Sequence, residues 1–324
     1  MSACMVTVTF LGTAGSTPTS SRALPALTVE YDGKLLLFDC GDGTQLHMIR
    51  RNVGLPKLSA VFLSHIHADH TAGMAGLVRS LALNKREAPL DIYIPESGRS
   101  GIHALLEYDR ARFEYSINVK PIKGGTIYKG RGFEVSAFKV DHGDTPTYGF
   151  VFKEDDRWHF MAEKAASTGL KEGPLVGELL KKGSVKVNGR LVLREDVAEM
   201  RYGVKVVYVT DTRPTASTVA AARDADLLVH EATYANEEHD LAVKRKHSTA
   251  QEAAKSAQKA KVTMLALTHI SARYGTRKDL MSLLREATSV FPNTIIAKDG
   301  MSIDITKDGM SIKMLKTNKV SDKL

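Results

Sequence analysis

The chain has 324 residues, 43% hydrophobic and 25% charged, which suits an ordinary globular protein able to bury a sizeable core. No run approaches the ~20 apolar residues that cross a bilayer, so a helical membrane protein is excluded. A net charge of +8 and a pI near 9.3 fit a polyanionic partner such as nucleic acid without requiring one.

The opening MSACMVTVTF lacks the basic segment and apolar run of a signal peptide and reads directly as a strand. Two cysteines, Cys4 and Cys40, make no disulfide framework, which points to a reducing, cytoplasmic setting. VTVTFLG, ALTVEY and KLLLFDCG alternate as strands, the last two joined by the hairpin signal Asp32-Gly33. VFLSH (61–65) is a short apolar strand, and TAGMAGLVRSLALN continues at helical spacing. DIYIP is a strand and SGRSGIHALLEYDRA a helix, and FEVSAFKVDH and YGFVFK begin a second β-rich stretch.

Residues 153–203 break the rhythm. They contain Gly173-Pro174 and no sandwich element, and fifty such residues inside a compact domain make an inserted arm rather than a connection. The whole segment is nearly neutral, but the stretch 179–194 holds Lys181, Lys182, Lys186, Arg190 and Arg194 and no acid. Beyond it, KVVYVTDT, DLLVHEAT and TMLALTH are apolar strands separated by the helices TASTVAAARDA and STAQEAAKSAQKA. DLMSLLREATSVF is a last helix, TIIAKDGMSIDI a strand, and the repeat KDGMSIDI/KDGMSIKM two strands joined by a turn. The tail from Lys316 is polar and expected to fray. The order β-rich, β/α, β-rich, β/α predicts an αββα sandwich with two sheets face to face. Residues 1–324 then form a single domain carrying the arm at 153–203.

The chemistry concentrates in SHIHADHTAGMAG, where His65-x-His67-x-Asp69-His70 places four candidate metal ligands in six positions. His65 and His67, on an extended strand end, point the same way, whereas Asp69 and His70 face a neighbouring position. One loop can thus seed two metal sites, an arrangement that clamps both oxygens of a phosphoryl transfer. Three later strand ends offer the remaining ligands: Asp141-His142, Thr210-Asp211 and Thr268-His269. A bridging role suits Asp211, because one carboxylate can bind two cations. His47, His103, His159 and His239 have no such company and read as structural or exposed.

HxHxDH after a short apolar strand resembles the signature of the metallo-β-lactamase superfamily, whose αββα sandwich matches the order above. LGTAGSTPTSSR, FDCGDGTQ, TDTRP (210–214), HEATY (230–234), His-Ser-Thr (247–249) and THISARY (268–274) are similar to the ribonuclease Z family. That resemblance spans residues 8 to about 305 and implies a fold class: α/β, a metallo-β-lactamase αββα sandwich with an inserted exosite arm.

It also implies an activity, zinc-dependent removal of the 3′ trailer from precursor tRNA, with the cut after the discriminator nucleotide. Two zinc ions per subunit are implied, although histidine and carboxylate ligands also serve manganese. His65, His67 and His142 would hold one ion, Asp69, His70 and His269 the other, and Asp211 would bridge. Asp69 would also orient the attacking water and accept its proton. His247, in KRKHSTAQEAA ahead of a helix that Ser248 could cap, would protonate the leaving 3′-oxygen, oriented by Glu231. On a regular strand His230 would face the other way. KEGPLVGELLKKG resembles the family's exosite, where Lys181, Lys182, Lys186, Arg190 and Arg194 would meet phosphates. A homodimer and no membrane are implied, one subunit gripping tRNA while its partner cuts.

The chain departs from the family where Pro-x-Lys-x-Arg-Asn is usual: Pro18, Ser20, Arg22 and Ala23 stand there, which bears on how a CCA-ended substrate is handled. Ala68 replaces a common glycine and Asp42 a glutamate. Two other readings share parts of this evidence. A dinuclear-zinc phosphodiesterase acting on small or cyclic nucleotides would need the metal site but not the arm. A non-catalytic RNA-binding protein would bind RNA in a salt-dependent way without turnover.

Overall fold

Alternation within the strands decides the layering. In Lys34–Phe38, Leu36 and Phe38 face one side and Leu35 and Leu37 the other, and all four are buried. A strand buried on both faces needs a sheet on one side and helices on the other. The computed structural model, which describes residues 5–107 and 113–317, has that form.

Among the described residues one sheet holds eight strands, in the order Gly309–Met314, Met301–Thr306, Val6–Gly12, Ala26–Tyr31, Lys34–Phe38, Leu58–Phe62, Leu90–Pro95 and Ile117–Ile122. The other holds seven: Thr294–Ile296, Met264–Thr268, Leu227–Glu231, Lys205–Val209, Thr147–Glu154, Phe133–Val140 and Gly125–Gly130. In each sheet one end is antiparallel and the other parallel. Between the sheets lies an aromatic-rich core in which Phe38 stacks on Phe62 and Phe62 on Tyr93, both at 5.0 Å. Helices cover the outer faces, Met74–Leu83 on one side and Ala250–Ala260 with Arg277–Thr288 on the other. The predicted αββα sandwich is the observed fold.

Asp32 and Gly33 both adopt positive φ, the type I′ geometry that their sequence signals, and Tyr31 pairs with Lys34 across them. The repeated KDGMSI segments form the expected hairpin, with Thr306 opposite Gly309. Four expectations need correction. TIIAKDGMSIDI is two strands, not one: Thr294–Ile296 ends the second sheet, and the chain crosses at Ala297–Gly300 to pair Met301–Thr306 in the first. The strand before the histidine cluster stops at Phe62, so His65 and His67 lie on a loop. The helix predicted for TAGMAGLVRSLALN begins only at Met74 and runs to Leu83, its first residue, Thr71, ending a separate turn of helix, Ala68–Thr71. The helix Ala250–Ala260 is capped by Thr249, not Ser248, through a reciprocal box with Glu252 worth about 1 kcal/mol.

The helix predicted from Ser97 begins at Arg99 and runs to Glu107, while residues 108–111 of that prediction, Cys4 and most of the terminal tail lie outside the described residues. Cys40 is a buried thiol that burial pushes up to about 12, which leaves it unreactive.

Lys153 and Glu154 still pair with the neighbouring strand, so the inserted segment begins after them. Arg157–Phe160 and Ala198–Arg201 form its antiparallel neck. Beyond the neck the helix Pro174–Lys182 and the hairpin Ser184–Val187/Arg190–Leu193 enclose a small core of their own, including Leu170, Leu179, Val185 and Val192. Proline at the helix start and Gly183 in the left-handed region at its end explain why this helix begins and stops where it does.

Candidate metal centre

Register brings the candidate ligands together. Val209, His230 and Leu267 pair across three neighbouring parallel strands, and Glu231 pairs with Thr268. The residues just beyond these carboxyl ends therefore emerge side by side, where open sheets place their sites. Asp211 and His269 emerge there, Asp141-His142 follows the strand Phe133–Val140, and the loop His65–His70 comes from the facing sheet.

Asp39 (φ 57°), Asp211 (φ 46°) and His269 (φ 56°) all sit in the left-handed region. Each costs roughly 1–2 kcal/mol for a residue with a Cβ. Three such residues at strand ends mark a place where backbone strain is held to aim side chains.

The side chains fall into two groups that share Asp211. In the first, His65 Nε2 lies 2.9 Å from His67 Nδ1, and Asp211 Oδ2 lies 3.6 Å from His65 Nε2 and 3.7 Å from His142 Nε2. In the second, Asp211 Oδ1 lies 3.0 Å from His269 Nε2 and 3.2 Å from His70 Nε2, while Asp69 Oδ2 is 3.4 Å from His70 Nε2 and 3.7 Å from His269 Nε2. Ligands at ~2.0–2.1 Å from a tetrahedral zinc are separated by about 3.3 Å, so these spacings fit. His70 Nε2, Asp211 Oδ1 and His269 Nε2 are moreover buried without a hydrogen-bond partner, and they converge on one point. Orphaned lone pairs on this scale fit a cation.

The outer ring nitrogens are occupied. Ser64 Oγ lies 2.9 Å from His65 Nδ1, Asp39 Oδ2 2.8 Å from His70 Nδ1, the Lys246 carbonyl 3.1 Å from His142 Nδ1, and Thr233 Oγ1 2.9 Å from His269 Nδ1. This arrangement fixes the rings and leaves Nε2 facing the centre. Asp39 in turn accepts from the Ser64 N–H at 2.8 Å and the Tyr208 hydroxyl at 2.9 Å, tying the two sheets at the site. Burial alone would raise the Asp211 carboxyl, but His269, His70 and His65 outweigh it and hold it well below the carboxylate range. Asp69 is held low against its burial by His269 and His70, and its Oδ2 accepts from the Ser16 N–H at 3.1 Å.

Glu231 and His247 stand beside this cluster, with Glu231 Oε1 3.0 Å from His247 Nδ1. The Glu231 carboxylate also accepts from the Thr212 N–H at 2.6 Å and the Thr233 hydroxyl at 2.6 Å, so it is filled by donors and is not a ligand despite its proximity to His269. Burial would lower the His247 imidazole, but Glu231 and then Asp211 raise it to about 9. His230 is buried with its Nδ1 2.8 Å from the Glu231 carbonyl and takes no part in the cluster.

Every predicted ligand is thus in the cluster. The arm residues are not. Lys181, Lys182, Lys186 and Arg190 are exposed on the inserted segment, and Lys182 pairs with Glu178 at 2.7 Å. Arg194 is otherwise engaged, stacked 4.3 Å over Trp158 and bonded to Glu195 and the Leu180 carbonyl. In the divergent loop, Arg22 is buried and bonds Thr13 and the Ala297 carbonyl, while Asp299 holds Thr13 and the Ala23 N–H. A cleft of about 440 Å³ opens beside this loop, lined by Asp42, His47, Arg50 and Arg51 and by none of the ligands. Sequence reasoning missed Asp39, Ser64, Thr233 and Ser16. Only Asp39 carried a signal, an acid directly after an apolar strand.

The chain is 42% identical over 304 residues to a ribonuclease Z of Archaeoglobus fulgidus, covering 92% of this chain and 97% of that one. It is 41% identical to a ribonuclease Z of Gemmatimonas aurantiaca, covering 92% and 95%. The chain belongs to the ribonuclease Z family. It is an enzyme of the phosphodiester hydrolase class, an endoribonuclease. The crystal structure of human tRNase Z, short form, shares the fold with a TM-score of 0.68 at 24% identity, covering 93% of this chain and 99% of that one. The metallo-β-lactamase fold protein YhfI of Bacillus subtilis follows at 0.67 and 20%, covering 93% and 100%. The family described as Anti-Pycsar protein Apyc1 matches residues 6–171, the half that holds the HxHxDH cluster and His142. That match ends before Asp211, Glu231, His247 and His269.

Proposed function

We propose that the chain cuts precursor tRNA after the discriminator nucleotide, leaving a 3′-hydroxyl on the tRNA and a 5′-phosphate on the trailer. The observation that carries this reading is Asp211, which offers one oxygen to each of two histidine groups beside a hydrogen-bonded Glu231–His247 pair. His65, His67 and His142 would hold one zinc, Asp69, His70 and His269 the second, with Asp211 bridging. When bound, the cations supply Lewis-acid charge and make water acidic enough to react near neutral pH.

The chain's residues do the rest. Asp69, kept ionised by its two histidine neighbours and aimed by the Ser16 N–H, orients the attacking water and accepts its proton. The leaving 3′-oxygen is a poor leaving group until protonated. His247, kept charged by Glu231, donates that proton to it. The 2′-hydroxyl need not take part. Lys181, Lys182, Lys186 and Arg190 meet tRNA phosphates far from the cut, and a cytoplasmic homodimer lets one subunit grip while its partner cuts.

The test is incubation of purified protein with a 3′-extended precursor tRNA, both product ends mapped, with Asp69→Ala alongside. A single metal-dependent cut after the discriminator base, absent in the variant, supports the reading. Intact tRNA alongside hydrolysis of a chromogenic phosphodiester would instead favour a phosphodiesterase acting on small nucleotides. RNA binding without either turnover would favour a non-catalytic binder.

A further inference from the structure

The stretch that carries His247 is gripped by two consecutive carbonyls. The Lys246 carbonyl faces the ligand His142, and the His247 carbonyl accepts from Arg213 Nη1 at 2.5 Å. Lys246 itself takes φ 61°, so the backbone turns sharply at the point where it is held. Arg213 stands two residues after Asp211, and its backbone N–H donates to the Asp141 carbonyl at 2.8 Å. Its guanidinium is seated on Glu252, bonding both carboxylate oxygens, one at 2.8 Å, in the fork geometry that arginine alone provides. Glu252 closes the capping box of the helix Ala250–Ala260, and Ser248 Oγ donates to the Thr212 carbonyl at 2.6 Å. The loop carrying the shared carboxylate and the loop carrying His247 are therefore one braced unit.

Stability is a weak reason for such a pair. Both side chains are largely buried, at 14% and 13% exposed, and burying charges commonly offsets most of what their attraction returns. The third bond, to the carbonyl of His247 itself, gives the pair a job that packing would not.

We propose that Arg213, seated on Glu252, is a positioning residue that holds the His247 imidazole on the leaving oxygen. This rests on the reading of His247 as proton donor. Arg213 touches no reacting atom. It fixes the backbone from which the ring extends, while Glu231 fixes the ring's orientation through a single hydrogen bond. A side chain held at only one of these points would swing, and a shift of ~1 Å costs on the order of a hundredfold in rate.

The test compares two substrates. Precursor tRNA expels an alkoxide that needs a proton, whereas bis(p-nitrophenyl) phosphate expels an aryl oxide that does not. The proteins are wild type, His247→Ala, Arg213→Lys and the double variant, with Glu252→Gln as the milder disruption should Arg213→Lys not fold. Bound metal is measured in each. His247→Ala is expected to lose ~10²–10⁴-fold more on tRNA than on the aryl ester. Arg213→Lys is expected to lose about 10–100-fold more on tRNA, in kcat rather than KM and with metal content unchanged. The double variant is expected to be no slower than His247→Ala alone.

Equal losses on both substrates in His247→Ala would overturn the proton-donor reading and the proposal with it. A selective His247→Ala alongside an Arg213→Lys that is unselective, metal-depleted or additive would overturn the proposal alone.

Discussion

His70 and Asp39 form a fully buried pair, Nδ1 and Oδ2 2.8 Å apart. The carboxylate that orients this imidazole also accepts from Ser64 and Tyr208, so it locks a ligand and both sheets at once. Asp39→Asn keeps the shape but removes the charge that sets the ring's tautomer. Metal affinity, read by chelator competition, is expected to fall about 10–100-fold. An unchanged affinity would show that Asp39 serves the fold alone.

Cation binding and stability are linked at Asp211. Its Oδ1 and two imidazole nitrogens are buried and unpartnered, so a cation held there should bind the folded state far better than the unfolded one. At a hundredfold excess over Kd, saturation adds about 2.7 kcal/mol. Zinc should raise the thermal midpoint of the chelated wild-type protein, and Asp211→Ala should lose most of that rise. A full rise in the variant would place the cation elsewhere.

The pH profile reports on Glu231. With His247 as the proposed acid, activity on tRNA should fall as pH rises through its folded value, which burial lowers but Glu231 lifts to about 9. Glu231→Gln removes the raising charge, so the alkaline limb of kcat should move to lower pH, towards the ordinary ~6.5 of histidine. A limb that stays in place would assign it to another group.

The layers were legible in the sequence because each strand alternates or is apolar throughout. The clustered side chains were legible because His65, His67, Asp69 and His70 are adjacent in the chain and the others end apolar strands. What could not be read is long-range. Nothing near Arg213 reveals that Glu252 and the His247 carbonyl meet it, since 39 and 34 residues separate them. TIIAKDGMSIDI looks like one strand because the crossing between sheets is a tertiary event. Ser248 and Thr249 are both good cap residues, and tertiary contacts decide between them: Ser248 is taken by the Thr212 carbonyl.

In the proposed reading the inserted segment separates gripping from cutting. Lys181, Lys186 and Arg190 are exposed there, whereas Arg194 is stacked on Trp158 and holds the end of the helix Pro174–Lys182. Charge reversal at the first three should raise KM for precursor tRNA while leaving hydrolysis of the aryl phosphodiester intact. It should also flatten the salt dependence of binding by roughly 0.9 in log–log slope per lost phosphate contact. Arg194→Ala should act differently, through the segment's own fold, with limited proteolysis within 155–203 becoming faster. The two kinds of variant are separated by salt, because lost contacts change the slope and a loosened scaffold changes the intercept. If reversal of Lys181, Lys186 and Arg190 leaves both KM and slope unchanged, tRNA is held by another surface.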